Sequence, residues 1–65
     1  MKEISAQALN KLVEQWNDNS RSIPKSSWYA YNDPVWIGLD NTTGDCYVKQ
    51  FDRKKDAIRW LNDND

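Results

Sequence analysis

The sequence predicts a small α+β fold, a two-layer α-β-β-β-α domain with both helices packed on one face of a small antiparallel sheet. Three observations carry this. A fourteen-residue stretch near the N-terminus has apolar residues at helical spacing. Three short runs of aromatic and β-branched residues follow, separated by turn formers. A second amphipathic stretch closes the chain. At 65 residues there is room for one domain, spanning 1–65. A chain of that size buries only about 60 % of its unfolded surface.

The first helix is expected over residues 4–17. Ile4, Ala8, Leu12 and Trp16 recur every four residues, and Leu9 and Val13 widen the stripe. Ser5 or Glu3 serves its N-terminus, and Asn17-Asp18-Asn19-Ser20 ends it. Residues 18–27 form a polar, locally basic connection whose backbone is fixed at Pro24.

Trp28–Tyr31 is a short strand. Asn32-Asp33-Pro34 is a turn, since a proline cannot continue a paired strand. Val35–Leu39 is the clearest strand, and Cys46–Phe51 returns beside it. Asn41-Thr42-Thr43-Gly44 makes the connection, with Gly44 placed for a positive φ. Asp52 then caps a helix over 53–62 whose buried stripe is Ala57, Ile58 and Leu61.

A four-residue turn places Asp40 opposite Asp45. Leu39 then pairs with Cys46, Gly38 with Tyr47, Ile37 with Val48 and Trp36 with Lys49. Strand alternation sorts these side chains onto two faces. One holds Val35, Ile37, Leu39, Cys46 and Val48, and is aliphatic enough to form the core. The other holds Trp36, Gly38, Tyr47, Lys49 and Phe51. In a two-layer domain nothing covers that second face.

Composition removes most chemistry. Nine Lys and Arg against ten Asp and Glu give a net charge of −1, which excludes a generally basic nucleic-acid binder. Histidine is absent, and with it the usual general base and metal ligand. A single cysteine, Cys46, allows no internal disulfide and no paired-cysteine zinc site. It also lacks the basic partner that would activate it as a nucleophile. The stretch Asp40–Asp45 has oxygen ligands at alternating positions but lacks the downstream bidentate glutamate of a calcium loop. Two glycines make no phosphate-binding loop. No catalytic residue, metal or cofactor is expected. No apolar run reaches the length of a membrane span, and Met1-Lys2-Glu3 does not open a signal peptide, so a cytoplasmic protein without a membrane partner is expected.

Aromatic content is the unusual feature. Trp16, Trp28, Tyr29, Tyr31, Trp36, Tyr47, Phe51 and Trp60 include four tryptophans. A small core gathers buried area from such residues, but an uncovered aromatic face also marks a contact site. The expectation is a non-catalytic protein-binding module. Trp36 and Tyr47 are its anchors, with Phe51, Lys49, Trp28 and Tyr31 around them. A free-standing frame of this size suits a small inhibitor or modulator of the kind phages and mobile elements encode. The open edge of the Trp28–Tyr31 strand offers a homodimer instead.

Arg53-Lys54-Lys55 opens the last helix and Arg59 follows one turn on. Cations there oppose the helix dipole, so helix stability does not explain them. In element order and length the chain resembles the double-stranded-RNA-binding domain. That resemblance implies phosphate contacts from Arg53, Lys54 and Lys55, and a minor-groove contact from the first helix through Gln7, Asn10, Lys11 and Glu14. RNA or DNA binding is therefore the alternative, with Arg53, Lys54, Lys55, Arg59 and Lys11 as its residues. The Gly-rich approach to the last helix that marks the family is missing here.

Overall fold

A computed structural model describes residues Met1–Asn64. In chain order the elements are β1 (Lys2–Glu3), α1 (Ala6–Asp18), β2 (Ser27–Asn32), β3 (Val35–Asp40), β4 (Tyr47–Phe51) and α2 (Lys54–Asn64). The described residues form a four-stranded sheet in the order β1-β2-β3-β4, flanked by two helices. The α+β class is as the sequence predicts.

Helix α1 starts where Ser5 supplies its cap. The Ala8 amide donates to Ser5 Oγ at 3.1 Å, satisfying one of the helix's free N–H groups. At the other end the Asn19 amide donates to the Gln15 carbonyl at 2.8 Å. The stripe foreseen from sequence faces inward. Leu9 is buried, with Ile4, Leu12, Val13 and Trp16 packed around it.

The sheet is mixed rather than wholly antiparallel. Strand β1 pairs parallel to β2, Lys2 opposite Trp28 and Glu3 opposite Tyr29, and the Ile4 amide donates to the Tyr29 carbonyl at 2.9 Å. Two residues carry no readable alternation, so β1 left no mark in the sequence. Strands β2 and β3 form a tight hairpin around Asp33–Pro34, whose peptide bond is cis, with Asn32 opposite Val35.

The β3–β4 register differs from expectation by two residues. Asp40 pairs with Tyr47, Leu39 with Val48, Gly38 with Lys49, Ile37 with Gln50 and Trp36 with Phe51. The connection spans residues 41–46, longer than four, and contains two left-handed positions, Gly44 at φ 89° and Cys46 at φ 54°. Gly44 was expected in that conformation; Cys46 was expected to be in the strand. The shift is even, so the side chains of β3 and β4 keep their assigned faces, but Cys46 lies outside the strand and Val48, expected in the core, is 47 % exposed.

The first face carries the core. Trp28 and Ala30 of β2 and Ile37 and Leu39 of β3 pack with Leu9 of α1 and Ile23 of the α1–β2 connection. Each large side chain so buried stabilises the fold by about 1.5–3 kcal/mol.

The second helix corrects the expected architecture. Ala57 and Leu61 are fully buried, yet lie outside that core cluster. Trp60 lies over Gly38, on the opposite face of the sheet, where a Cβ on the glycine would meet the indole at 3.0 Å. The molecule is therefore three layers, α1–sheet–α2. An apolar face needs a cover, and α2 covers the one thought bare. Residue Arg53 takes the cap position expected for Asp52: its carbonyl accepts from the Asp56 and Ala57 amides at 3.2 and 3.3 Å.

Candidate functional site

Antiparallel pairing fixes which aromatics share the α2 side of the sheet. Tyr31 stands opposite Trp36, which stands opposite Phe51; Tyr29 stands opposite Gly38, which stands opposite Lys49. These six positions share one face. Helix α2 divides it. Over the middle, Trp60 packs on Gly38 and against Phe51, ring centroids 5.7 Å apart. At the β2–β3 hairpin end the face stays open, and three rings gather there. Tyr31 lies 5.0 Å from Trp36, and Tyr29 lies 6.3 Å from it, each pair tilted by about half a right angle. Tyr31 is 48 % exposed, while Tyr29 and Trp36 are partly buried.

Two charged groups frame the cluster. The Tyr31 hydroxyl donates to Asp33 Oδ1 at 2.8 Å. The carboxylate, helped by desolvation, raises the phenol's pKa above its ordinary 10.0, because it stabilises the protonated form. On the other side the Lys54 ammonium sits 5.5 Å from the Trp36 ring and 5.7 Å from the Tyr29 ring. It also pairs with Glu3 Oε1 at 3.3 Å. Lys54 thus occupies the cation position over both rings. The Trp36 indole N–H makes no hydrogen bond among the described residues and is a free donor.

The expected site residues divide accordingly. Trp36 and Tyr31 come together at the open end. Tyr47 is 55 % exposed but stands at the far end of the sheet, opposite Asp40, with α2 between it and Trp36. Phe51 is under Trp60, and Lys49 is exposed above the Phe51 ring at 5.6 Å. Trp28 is not a surface residue: it is 9 % exposed and belongs to the core on the opposite face. Alternation alone separates it, since Trp28 and Tyr31 are three positions apart in one strand and must point oppositely. Tyr29 is the member that the sequence reading missed. A two-residue turn at Asp33–Pro34 would have placed it beside Trp36.

The basic residues of the nucleic-acid alternative are not brought together. Arg53, Lys55 and Arg59 are exposed on or beside α2, whereas Lys11 is on α1 across the sheet. Lys54 is already paired. The first-helix and last-helix contacts implied by the RNA-binding resemblance therefore fall on opposite sides of the molecule. The homodimer edge is displaced too. Strand β2 is an inner strand between β1 and β3, and the long free edge belongs to β4.

Cys46 is half-buried, and burial pushes its thiol pKa up, away from the reactive thiolate. Among the described residues there is no cluster of three or more His, Cys, Asp or Glu able to hold a metal ion. No helix of the described residues is long and apolar enough to cross a membrane. Comparison with known proteins finds no matching family model, no matching curated protein and no matching solved structure.

Proposed function

We propose that this chain is a non-catalytic module that binds another protein through the Tyr29–Tyr31–Trp36 cluster. The observation that carries the reading is the pair Tyr31 and Trp36. One ring is about half exposed, the two are in contact at 5.0 Å, and the indole N–H makes no hydrogen bond among the described residues. Large, rigid aromatics with a polar tip are the residues that dominate binding energy at protein contacts. Tyr47 and Lys49 lie outside this cluster, and Phe51 supports it from beneath α2.

Charge favours a protein over a nucleic acid as the partner. The carboxylate of Asp33 stands within the cluster and Lys54 is neutralised by Glu3. A stacking surface for nucleic acid needs net positive charge around its rings. Binding without chemistry suits an inhibitor or modulator that acts by occupying its target.

The test is affinity capture from nuclease-treated lysate with three baits, wild type, Tyr31→Ala and Trp36→Ala. A stoichiometric protein retained by wild type and lost from both variants, with thermal unfolding unchanged, is the expected result. Retention that depends on nucleic acid, or that survives both substitutions, overturns the proposal.

A further inference from the structure

Strand β4 ends the sheet. Its residues Tyr47, Val48, Lys49 and Gln50 are all exposed. Since they alternate faces, neither helix covers this strand on either side before Phe51.

The pairing of β3 decides which backbone groups of β4 face outward. The Asn41 amide donates to the Ser26 carbonyl at 2.9 Å, carrying the β2–β3 ladder one pair beyond Ser27 and Asp40. Bonded and non-bonded positions alternate along an antiparallel pair. Leu39 and Ile37 therefore bond to β2, while Asp40, Gly38 and Trp36 bond to β4 through Tyr47, Lys49 and Phe51. The N–H and C=O of Val48 and Gln50 are left pointing away from the sheet, with no strand beyond them.

Charge chooses the occupant. Lys49 stands between those two residues, its ammonium 5.6 Å from the Phe51 ring centroid and in no ion pair among the described residues. The neighbouring carboxylates are otherwise placed. Asp40 is 3 % exposed and accepts from the Thr42 amide and hydroxyl at 3.0 and 2.6 Å. Asp45 precedes the strand and accepts from the Thr43 and Tyr47 hydroxyls at 3.1 and 3.5 Å. Asp52 follows it and does not pair with Lys49. A second copy of β4 would set Lys49 against Lys49, a destabilising pair.

We propose that β4 takes an extended acidic segment of a partner protein as a fifth, antiparallel strand, with a Glu or Asp opposite Lys49. Val48 and Gln50 then supply the main-chain bonds. Lys49 falls at a non-hydrogen-bonded position, where opposed side chains approach most closely. Val48, 47 % exposed, gains a neighbour on the other face. No ring of the Tyr29–Tyr31–Trp36 cluster is on β4, so this surface is separate from that one.

The experiment is an NMR titration of the whole chain with the capped peptide acetyl-Ser-Thr-Val-Glu-Val-Thr-Ser-amide. In the free protein the Val48 and Gln50 amides are expected to exchange fast with solvent and the Lys49 amide slowly. The peptide is expected to shift the Val48 and Gln50 amides saturably and to slow their exchange. Replacing its Glu by Lys weakens binding about threefold or more, and Lys49→Glu reverses that preference. Methylating both valine nitrogens of the peptide abolishes binding and leaves the protein untouched. Val48→Pro does the same from the protein side, since the lost N–H faces outward. Trp36→Ala still binds the peptide, which separates this surface from the aromatic cluster. The proposal is overturned by slow exchange of Val48 and Gln50 in the free chain, or by no saturation to about 10 mM peptide. Equal binding of the Lys-centred or methylated peptide also overturns it. So does a parent chain that self-associates through these amides.

Discussion

The indole of Trp60 fills the space that a side chain at Gly38 would take. A Cβ built on the glycine stands 3.0 and 3.1 Å from two indole carbons and 3.5 Å from the Phe51 ring. With the buried Ala57 and Leu61, this approach docks the last helix onto the sheet. It follows that Gly38→Ala forces Trp60 outward and destabilises the fold by about 1–3 kcal/mol, the usual cost of overpacking. Chemical denaturation measures the loss, and near-ultraviolet circular dichroism reports the displaced tryptophan. An alanine variant as stable as the parent would mean that Trp60 does not rest on this glycine.

Trp28 and Trp36 are expected to separate stability from binding. Trp28 is a core residue, so Trp28→Ala is expected to cost about 3–5 kcal/mol, enough to unfold a domain this small at room temperature. Trp36→Ala leaves a folded protein that no longer captures its partner. Thermal melts of the two variants check this; equal destabilisation would place both indoles in the core.

Strand β4 is a free edge with Val48 47 % exposed, and Lys49 sits at its centre. A second β4 laid antiparallel about that centre brings Lys49 against its own copy, a repulsion that keeps the edge unpaired. Lys49→Val removes the guard. Sedimentation velocity is expected to show self-association of the variant and none of the parent by this edge. A variant that stays monomeric at high concentration refutes the role.

Tyr31 offers a titration. Its pKa is raised first by the hydrogen bond to Asp33, so the fold favours the protonated phenol. The added stability is fully present below pH 10.0, the unfolded value, and is lost as pH rises through the higher folded value. Asp33→Asn is expected to bring the Tyr31 transition back toward 10.0, read as tyrosinate absorbance against a Tyr31→Phe background. An unmoved transition would show that the carboxylate is not its cause.

Much of the fold was legible in the chain, for identifiable reasons. Ser5, the Leu9–Trp16 stripe and Gly44 announce themselves through spacing and backbone preference. The face assignments survived a wrong register because a slip of two restores alternation; a slip of one would have exchanged core and surface. The side on which α2 lies was not legible. Ala57, Ile58 and Leu61 define the expected stripe, but helical periodicity does not say which face of a sheet the stripe meets. The shape of the acceptor does, and Gly38 between Tyr29 and Lys49 is a notch sized for an indole. The candidate site was half legible. Tyr31 and Trp36 were foreseen, while Tyr29 required the pairing of β2 with β3.

Because the two helices lie on opposite sides of the sheet, the layers are completed at different times along the chain. The α1 side is whole once residue 51 has been reached, with Leu9, Trp28, Ile37 and Leu39 all present. The other side waits for residues 54–64. Until those residues arrive, on the ribosome or after any cut before Lys54, the strip from Tyr29 to Phe51 is as bare as a two-layer domain would leave it. The segment Lys54–Asn64 is then less a support than a shutter, reaching Tyr29 and Trp36 only through Lys54 at its first residue and leaving Tyr31 exposed once it has closed.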